Sequence, residues 1–574
     1  MIAVDTAVPK PTLDEARLDL DASIEVLKKH KDAWLDVPIE RKIDYLLAIA
    51  ERTLESAPEQ VAAAAEAKGL APDSPMVGEE WIAGPYIQIK AARQLAASLQ
   101  KIRQHGTVPI PEKRIRVRPD GQLAVSVFPA NVFDRLLYQG FRAEVWMDSS
   151  VHPENLQKTI GGALVRRPAS GKVGLVLGAG NVASIAPLDV LNKLIFEGQV
   201  VLVKFNPVND YLGPFVERVF FDLIQDGFLR TAYGGGDIGA YLCDHPDIDE
   251  IHITGSARTH DLIVFGGGSE GAERKARNEP RLGKRITSEL GNVSPMIVVP
   301  GDWSESDLQF QAENVATQMT QNGGFNCNAT KVLVTHASWP QRRAFLDRLR
   351  TVLAGLPDRP AYYPGAHERL ERFKSAYPQA EVLKADRPGA VQPTLIPDLE
   401  PSDAERLAFE EESFCALAAE TPLTASSPAE FLTKAVVFCN DELEGTLNAG
   451  LLVDPKTGKA LGPALEEAIA ALRYGSVAVN HWPALSYGLC STTWGAFPGH
   501  TLDDIQSGLG TVHNTMLFER PEKSVIWGPF RVFPKPPWFV THKNAHKVGE
   551  KITELEAKPV LWSLPGVVAS AIRG

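Results

Sequence analysis

The chain has 574 residues, with 59 Lys and Arg against 71 Asp and Glu, so it carries a formal charge of −12. A field of that sign repels a phosphate backbone, and nucleic acid is not an expected partner. With 44% hydrophobic and 23% charged residues the composition is that of a globular protein rather than a disordered one, and the length gives room for about two to four domains. The cysteines Cys243, Cys327, Cys415, Cys439 and Cys490 are odd in number and lack a CxxC pair. That pattern points to reduced thiols in a cytoplasmic setting rather than to a disulfide scaffold or a zinc site. The N-terminus carries Asp5, Asp14 and Glu15 without an apolar core and does not read as a signal peptide. The longest stretch free of Asp, Glu, Lys and Arg, residues 475–502, is broken by His481, Pro483, Gly488, Pro498 and His500, so no membrane span is expected.

In chain order, residues 12–104 read as helices, because Leu20, Ile24 and Leu27, then Ile43, Leu46, Leu47, Ala50 and Leu54, recur at helical spacing. From Ile115 to Met147 alternation takes over, as in Leu123-Ala124-Val125-Ser126-Val127, and predicts antiparallel strands forming a β-ribbon. After Gly171 the pattern becomes βαβ: a strand over 173–177, a turn, a helix using Ile185, Leu188, Leu191 and Ile195, a stop at Gly198, and a strand over 200–205. A helix over 216–223, a Gly234–Gly236 turn, a short helix near 238–242 and a strand over 250–253 repeat the theme. Residues 266–282, rich in glycine and charge, read as a solvated loop. A second α/β region over 297–479 is predicted, with helices near 309–318 and 340–353 and strands near 331–334, 435–438 and 476–479. The tail from Asn514 is rich in proline and aromatics before an amphipathic stretch at 548–555.

The candidate chemistry sits at the ends of these elements. Gly178-Ala179-Gly180-Asn181-Val182-Ala183 matches a GxGxxA dinucleotide fingerprint, but the next strand ends in Lys204 where that fingerprint wants an acid. A nucleotide domain of another kind is implied, with Lys204 reaching ribose hydroxyls or phosphate. Thr254-Gly255-Ser256 closes a strand at the carboxyl edge of a parallel sheet, where ligands of such folds bind. Glu289 leaves a strand-like segment into a glycine turn, and Cys327 follows the Gly-rich Asn322-Gly323-Gly324-Phe325-Asn326.

Taken together, Asn181, Lys204, Thr254-Gly255-Ser256, Glu289-Leu290-Gly291, Cys327, Glu412-Ser413-Phe414 and Gly475–Asn480 resemble the aldehyde dehydrogenase superfamily from about Val173 to Asn480. The resemblance implies an α/β fold: a Rossmann-type parallel-sheet cofactor domain over 1–286, a catalytic domain over 287–490, a β oligomerisation element within 115–150, and a C-terminal return over 491–574. It further implies Cys327 as nucleophile, Asn181 as oxyanion donor and Glu289 as general base. Lys204, Asn206, Gly255, Ser256, Glu412 and Phe414 become cofactor contacts, with no metal. The activity implied is oxidation of an aldehyde by NAD or NADP through a thiohemiacetal and a thioester, in a homo-oligomer. A nearby helix start or hydrogen-bond donors would lower the thiol pKa, and burial would raise that of Glu289. Two other readings fit the same residues: a coenzyme A-acylating aldehyde dehydrogenase or acyl-CoA reductase, which needs no Glu289, and a catalytically silent binding protein on the same fold. The chain departs from the family in having Gly178-Ala179-Gly180 before Asn181, Pro207 three residues past Lys204, Phe325 in the nucleophile segment and Cys415-Ala416 after Phe414. Pro207 leaves the choice between NAD and NADP open.

Overall fold

The computed structural model describes residues 11–385 and 387–574, so Asp5 lies outside the described residues. Among these, two large sheets organise the fold. The six-stranded sheet runs Gly508–Leu509, Arg285–Glu289, Glu250–Thr254, Val173–Leu177, Val200–Lys204, Leu229–Ala232, the last five parallel and the first antiparallel to its neighbour. Its central strands are almost wholly buried, and Val173–Leu177 and residues 200–203 are continuous apolar runs, as strands covered on both faces tend to be. Their carboxyl ends carry Lys204 and Thr254-Gly255-Ser256. The strand Arg285–Glu289 belongs to this sheet, so the domain boundary expected at 286/287 falls inside it.

The eleven-stranded sheet begins with the antiparallel strands Ile115–Val117, Leu123–Phe128 and Arg142–Met147. Next comes Pro521–Trp527, antiparallel to Arg142–Met147 and parallel to Ser476–Val479. Beyond lie Asn448–Leu452, Ser294–Val298, Thr330–His336, Leu417–Leu423 and Thr394–Ile396, all parallel, and a closing antiparallel Glu381–Val382. The predicted ribbon is thus built as strands, interrupted by a helix Val132–Leu137, and the tail strand joins it to the second α/β region. The periodicity is met by three long helices, Leu13–Asp36, Ile39–Ala67 and Ile87–His105; the first packs on the strands Val173–Leu177, Val200–Lys204 and Leu229–Ala232, and the other two pack chiefly on each other. Trp34, fully buried, pins the first of them by donating its indole N–H to the Leu194 carbonyl at 2.9 Å.

Two expectations are corrected. Residues 435–438 are not a strand but part of the helix Pro428–Glu442, which Ser427 caps and Pro428 begins. Its buried residues Phe431, Leu432, Ala435, Val436, Phe438 and Cys439 fall on one helical face, and a four-residue apolar window cannot show that period. Residues 266–282 are not simply a loop: Gly268–Ala276 is helical, with Glu270 and Arg274 paired at 2.5 Å one turn apart and Lys275 on Asp261 at 2.7 Å.

Candidate active site

The segment bearing Cys327 follows the helix Glu305–Thr320 and reverses through three successive left-handed residues, Asn322, Gly323 and Gly324, with φ of 55, 69 and 77°. Gly324 has no substitute, because a Cβ there would lie 2.5 Å from the Ala416 nitrogen and the Cys415 carbonyl carbon. The Cys327 turn is thereby pressed directly against the residues that follow Glu412 and Phe414. Asn322, the non-glycine member, is held on every side. Its N–H donates to Glu79 Oε2 at 2.8 Å, its Oδ1 accepts from Lys68 Nζ at 3.0 Å and Tyr362 Oη at 2.9 Å, and its Nδ2 donates to the Asn181 carbonyl at 3.0 Å. Lys68 is itself buried and paired with Glu80 at 2.8 Å. This network fixes Asn181 and the Cys327 turn as one unit.

Cys327 Sγ donates to Glu289 Oε1 at 3.3 Å. Asn181 gives one hydrogen of its amide to the Phe325 carbonyl at 2.9 Å, leaving the second for a ligand. Asn181, Glu289 and Cys327 line one cavity of about 90 Å³, whose remaining walls are mainly aromatic and aliphatic. The three expected catalytic residues therefore meet. Glu289 is buried, which pushes its pKa up, against the pull of His513 and the Trp494 indole. The thiol departs from expectation: burial, then the charges of Glu289 and Glu412, drive its pKa well up rather than down. The Sγ–Oε1 contact gives the thiol proton a direct path to Glu289.

Behind Glu289 lies a buried polar cluster that the motifs did not reveal. His513 Nε2 meets Asp189 Oδ1 at 2.9 Å, Thr254 donates to Asp189 Oδ2 at 3.1 Å, and His252 Nδ1 meets Thr287 Oγ1 at 2.9 Å. Burial alone would raise Asp189, yet His252 and His513 bring it down to about 2. His513 and Trp494 are cross-strand partners, a pairing that no spacing in the sequence announces.

The expected cofactor contacts divide into two groups. Glu412 is half-buried, its Oε1 buried and unpartnered among the described residues, and a Cβ on Gly291 would run into its other oxygen. Burial raises it to about 7 in spite of Lys331 and the Asn292 N–H. Phe414, at a φ of 40°, packs on Tyr363 with ring centroids 4.9 Å apart, while Arg369 donates to the Phe414 carbonyl at 3.3 Å. At the other sheet, Lys204 Nζ donates to the Phe205 carbonyl at 3.2 Å and its stem lies against Gly239. Gly255 N–H donates to the Glu289 carbonyl at 3.0 Å, and Ser256 caps the helix Ala257–Val264 through the Thr259 N–H at 3.2 Å. Asn206 instead holds its own turn: its Oδ1 accepts from the Val208 N–H at 3.0 Å, and a Cβ on Gly180 would lie 2.7 Å from that oxygen. An orphaned buried carboxylate oxygen, a lysine at a strand end and open space around Gly236 are what a dinucleotide's two riboses and phosphates require.

Residues 155–382 match the model of the aldehyde dehydrogenase family. Over 300 residues the chain is 28% identical to the aminoacetaldehyde dehydrogenase of Pseudomonas aeruginosa, a match covering 49% of this chain and 55% of that protein. The chain thus spans about half the length of that curated relative. Its fold is similar to that of an NAD-dependent aldehyde dehydrogenase from Sinorhizobium meliloti, with a TM-score of 0.59 and 17% identity over 92% of this chain and 89% of the other. A glyceraldehyde-3-phosphate dehydrogenase from Methanocaldococcus jannaschii, solved with NADP, gives a TM-score of 0.58 and 14% identity over 90% and 95%. At these identities the structural likeness speaks for the fold.

Proposed function

We propose, starting from a chain that belongs to the aldehyde dehydrogenase superfamily, that it oxidises an aldehyde to a carboxylate with NAD or NADP through a covalent intermediate on Cys327. The observation that carries this reading is the 3.3 Å contact from the thiol to Glu289 in a cavity shared with Asn181. As Sγ adds to the carbonyl carbon, Glu289 takes the thiol proton. The free hydrogen of the Asn181 amide and the Cys327 backbone N–H receive the developing oxyanion, a contribution of roughly 3–4 kcal/mol for one well-aimed donor. Glu412 and Phe414 hold the nicotinamide end and Lys204 with Ser256 the adenosine end; bound there, the dinucleotide supplies the two-electron acceptor for the thiohemiacetal C–H. Cys327 then keeps the acyl group as a thioester. The proton taken from the thiol passes from Glu289 to solvent. Glu289, its pKa raised by burial, then draws a proton from water, the hydroxide so formed adds to the thioester carbon, and the sulfur leaves as thiolate and recovers a proton from Glu289.

The same reading includes a reducing, cytoplasmic setting, in which the five thiols stay free. It also includes a homo-oligomer, for which the edge strand Ile115–Val117 offers unpaired backbone. No helix among the described residues is long and apolar enough to cross a membrane. The test is aldehyde-dependent formation of reduced nicotinamide, measured with each dinucleotide and with and without coenzyme A. Turnover in water that Cys327→Ala abolishes, with dinucleotide affinity retained, is the expected result. Strict dependence on coenzyme A selects the acylating reaction, and full activity of Cys327→Ala removes the mechanism.

A further inference from the structure

Resting on that reading, spare hydrogen-bond donors among the residues lining the cavity bear on the substrate class. Lys90 is 2% exposed and stands behind the cavity wall, 3.2 Å from Glu556 and 3.6 Å from Asp134. Its ammonium donates to Tyr86 Oη at 3.3 Å, and Tyr86 Oη lies 3.2 Å from Tyr138 Oη. An ammonium can only donate, so it occupies a lone pair of Tyr86 and turns that residue's proton toward Tyr138. The Tyr138 proton is then left over. Even with the reverse order, two hydroxyls sharing one hydrogen bond leave one tyrosyl proton without an acceptor among the described residues. Both hydroxyl-bearing side chains line the same cavity as Cys327.

A second donor stands beside them. Trp538, from the proline-rich tail, lines that cavity and lies nearly parallel to the Tyr138 ring, at 12° and 6.3 Å between centroids. Its indole N–H is buried with no partner among the described residues. Two unrelated segments of the chain thus place a spare O–H and an unpartnered indole N–H in the wall of a mainly apolar pocket that also includes Leu485 and Trp482. A buried donor without a partner is costly, so a ligand that supplies the acceptor gains what the empty site loses.

We infer that the substrate is an apolar or aromatic aldehyde carrying a hydrogen-bond acceptor oxygen at the end remote from its carbonyl, received by Tyr138 and Trp538. A cationic aldehyde such as aminoacetaldehyde carries no acceptor oxygen at its remote end to offer these donors. The tail, through Trp538 and through Glu556 on Lys90, is part of the specificity apparatus.

The test compares 4-methoxybenzaldehyde with 4-ethylbenzaldehyde, which differ by an ether oxygen in place of a methylene, and includes aminoacetaldehyde. The corresponding benzyl alcohols, titrated by tryptophan fluorescence, read the same preference without turnover. The methoxy compounds are expected to show KM and Kd about tenfold lower than their ethyl partners, since a site built to hydrogen-bond rejects the analogue lacking the group. The ratio should fall in Tyr138→Phe and approach unity in Tyr86→Phe/Tyr138→Phe. Equal affinities in the native protein, a ratio unmoved in the double variant, or a preference for aminoacetaldehyde overturns the inference. A preserved Kd ratio with no turnover of any aldehyde leaves this subsite standing and refutes the oxidation reading instead.

Discussion

His513 and Asp189 share a 2.9 Å hydrogen bond that ties the strand paired with Trp494 to the helix following Asn181. Asp189 is 1% exposed and also lies 3.5 Å from His252, so one carboxylate holds two buried imidazoles beside Glu289. Asp189→Asn removes the charge and leaves both rings facing a neutral amide. Loss of one partner from a buried ionic cluster costs about 3 kcal/mol, and a lower melting temperature is expected. Because the folded pKa of about 2 lies below the ordinary aspartate value of 3.8, the carboxylate stabilises the fold above the higher value and loses that contribution as pH falls through the lower. Melting curves across acid pH should therefore show the deficit of Asp189→Asn shrinking toward pH 2. A deficit independent of pH would assign the effect to shape rather than charge.

Glu289→Gln keeps the volume but cannot accept a proton. Acylation slows because the thiol loses the group that takes its proton, and hydrolysis slows further because it has no other base in contact with Cys327. The expected outcome is a fall in kcat of about 10² to 10⁴ with the acyl group retained on Cys327, visible as a mass adduct in protein quenched during turnover. A variant that turns over slowly with no adduct would place the base elsewhere.

Glu412 offers a pH dependence of opposite sign. Its pKa of about 7 in the folded protein exceeds the ordinary glutamate value of 4.5, so ionisation penalises the fold. That penalty is absent below the lower value and grows as pH rises through the upper one. Glu412→Gln is thus expected to melt higher than the native protein at pH above 7, by up to about 3 kcal/mol, and to match it in acid. The same variant should bind dinucleotide more weakly, a loss that titration calorimetry measures directly. Gains in stability at every pH would remove the titration from the account.

Gly324→Ala tests the close approach of two segments. A methyl group has nowhere to go between this residue and Cys415, and its φ of 77° penalises any side chain. Displacement of the turn by even a fraction of an ångström moves Cys327 relative to Glu289. A loss of 2 kcal/mol or more, as a rough scale for strain with overpacking, is expected together with a collapse of kcat. Native activity in Gly324→Ala would mean that the turn can shift without the thiol.

The parallel strands were legible because burial on both faces writes continuous apolar runs such as Val200-Val201-Leu202-Val203, and their ends located Lys204 and Thr254-Gly255-Ser256. Cys327, Glu289 and Asn181 were legible as an ordered set, and they share one cavity. The direction of the Cys327 shift was not, since it depends on burial and on two carboxylates contributed by distant segments. Residues 435–438 were misread because a short apolar run has no period of its own. Lys90, Tyr138 and Trp538 carried no signal at all: they lie far apart in sequence, and only the docking of the tail brings them together.

The placement of Pro521–Trp527 between Arg142–Met147 and Ser476–Val479 also governs how the molecule is made. On the ribosome, every other strand of the larger sheet emerges before this one, yet it is the one that joins the two halves. Until it arrives, a nascent chain presents two bare edges of backbone, the geometry most prone to mispairing and most in need of a chaperone. Truncation ahead of that strand would not shorten the fold so much as divide it.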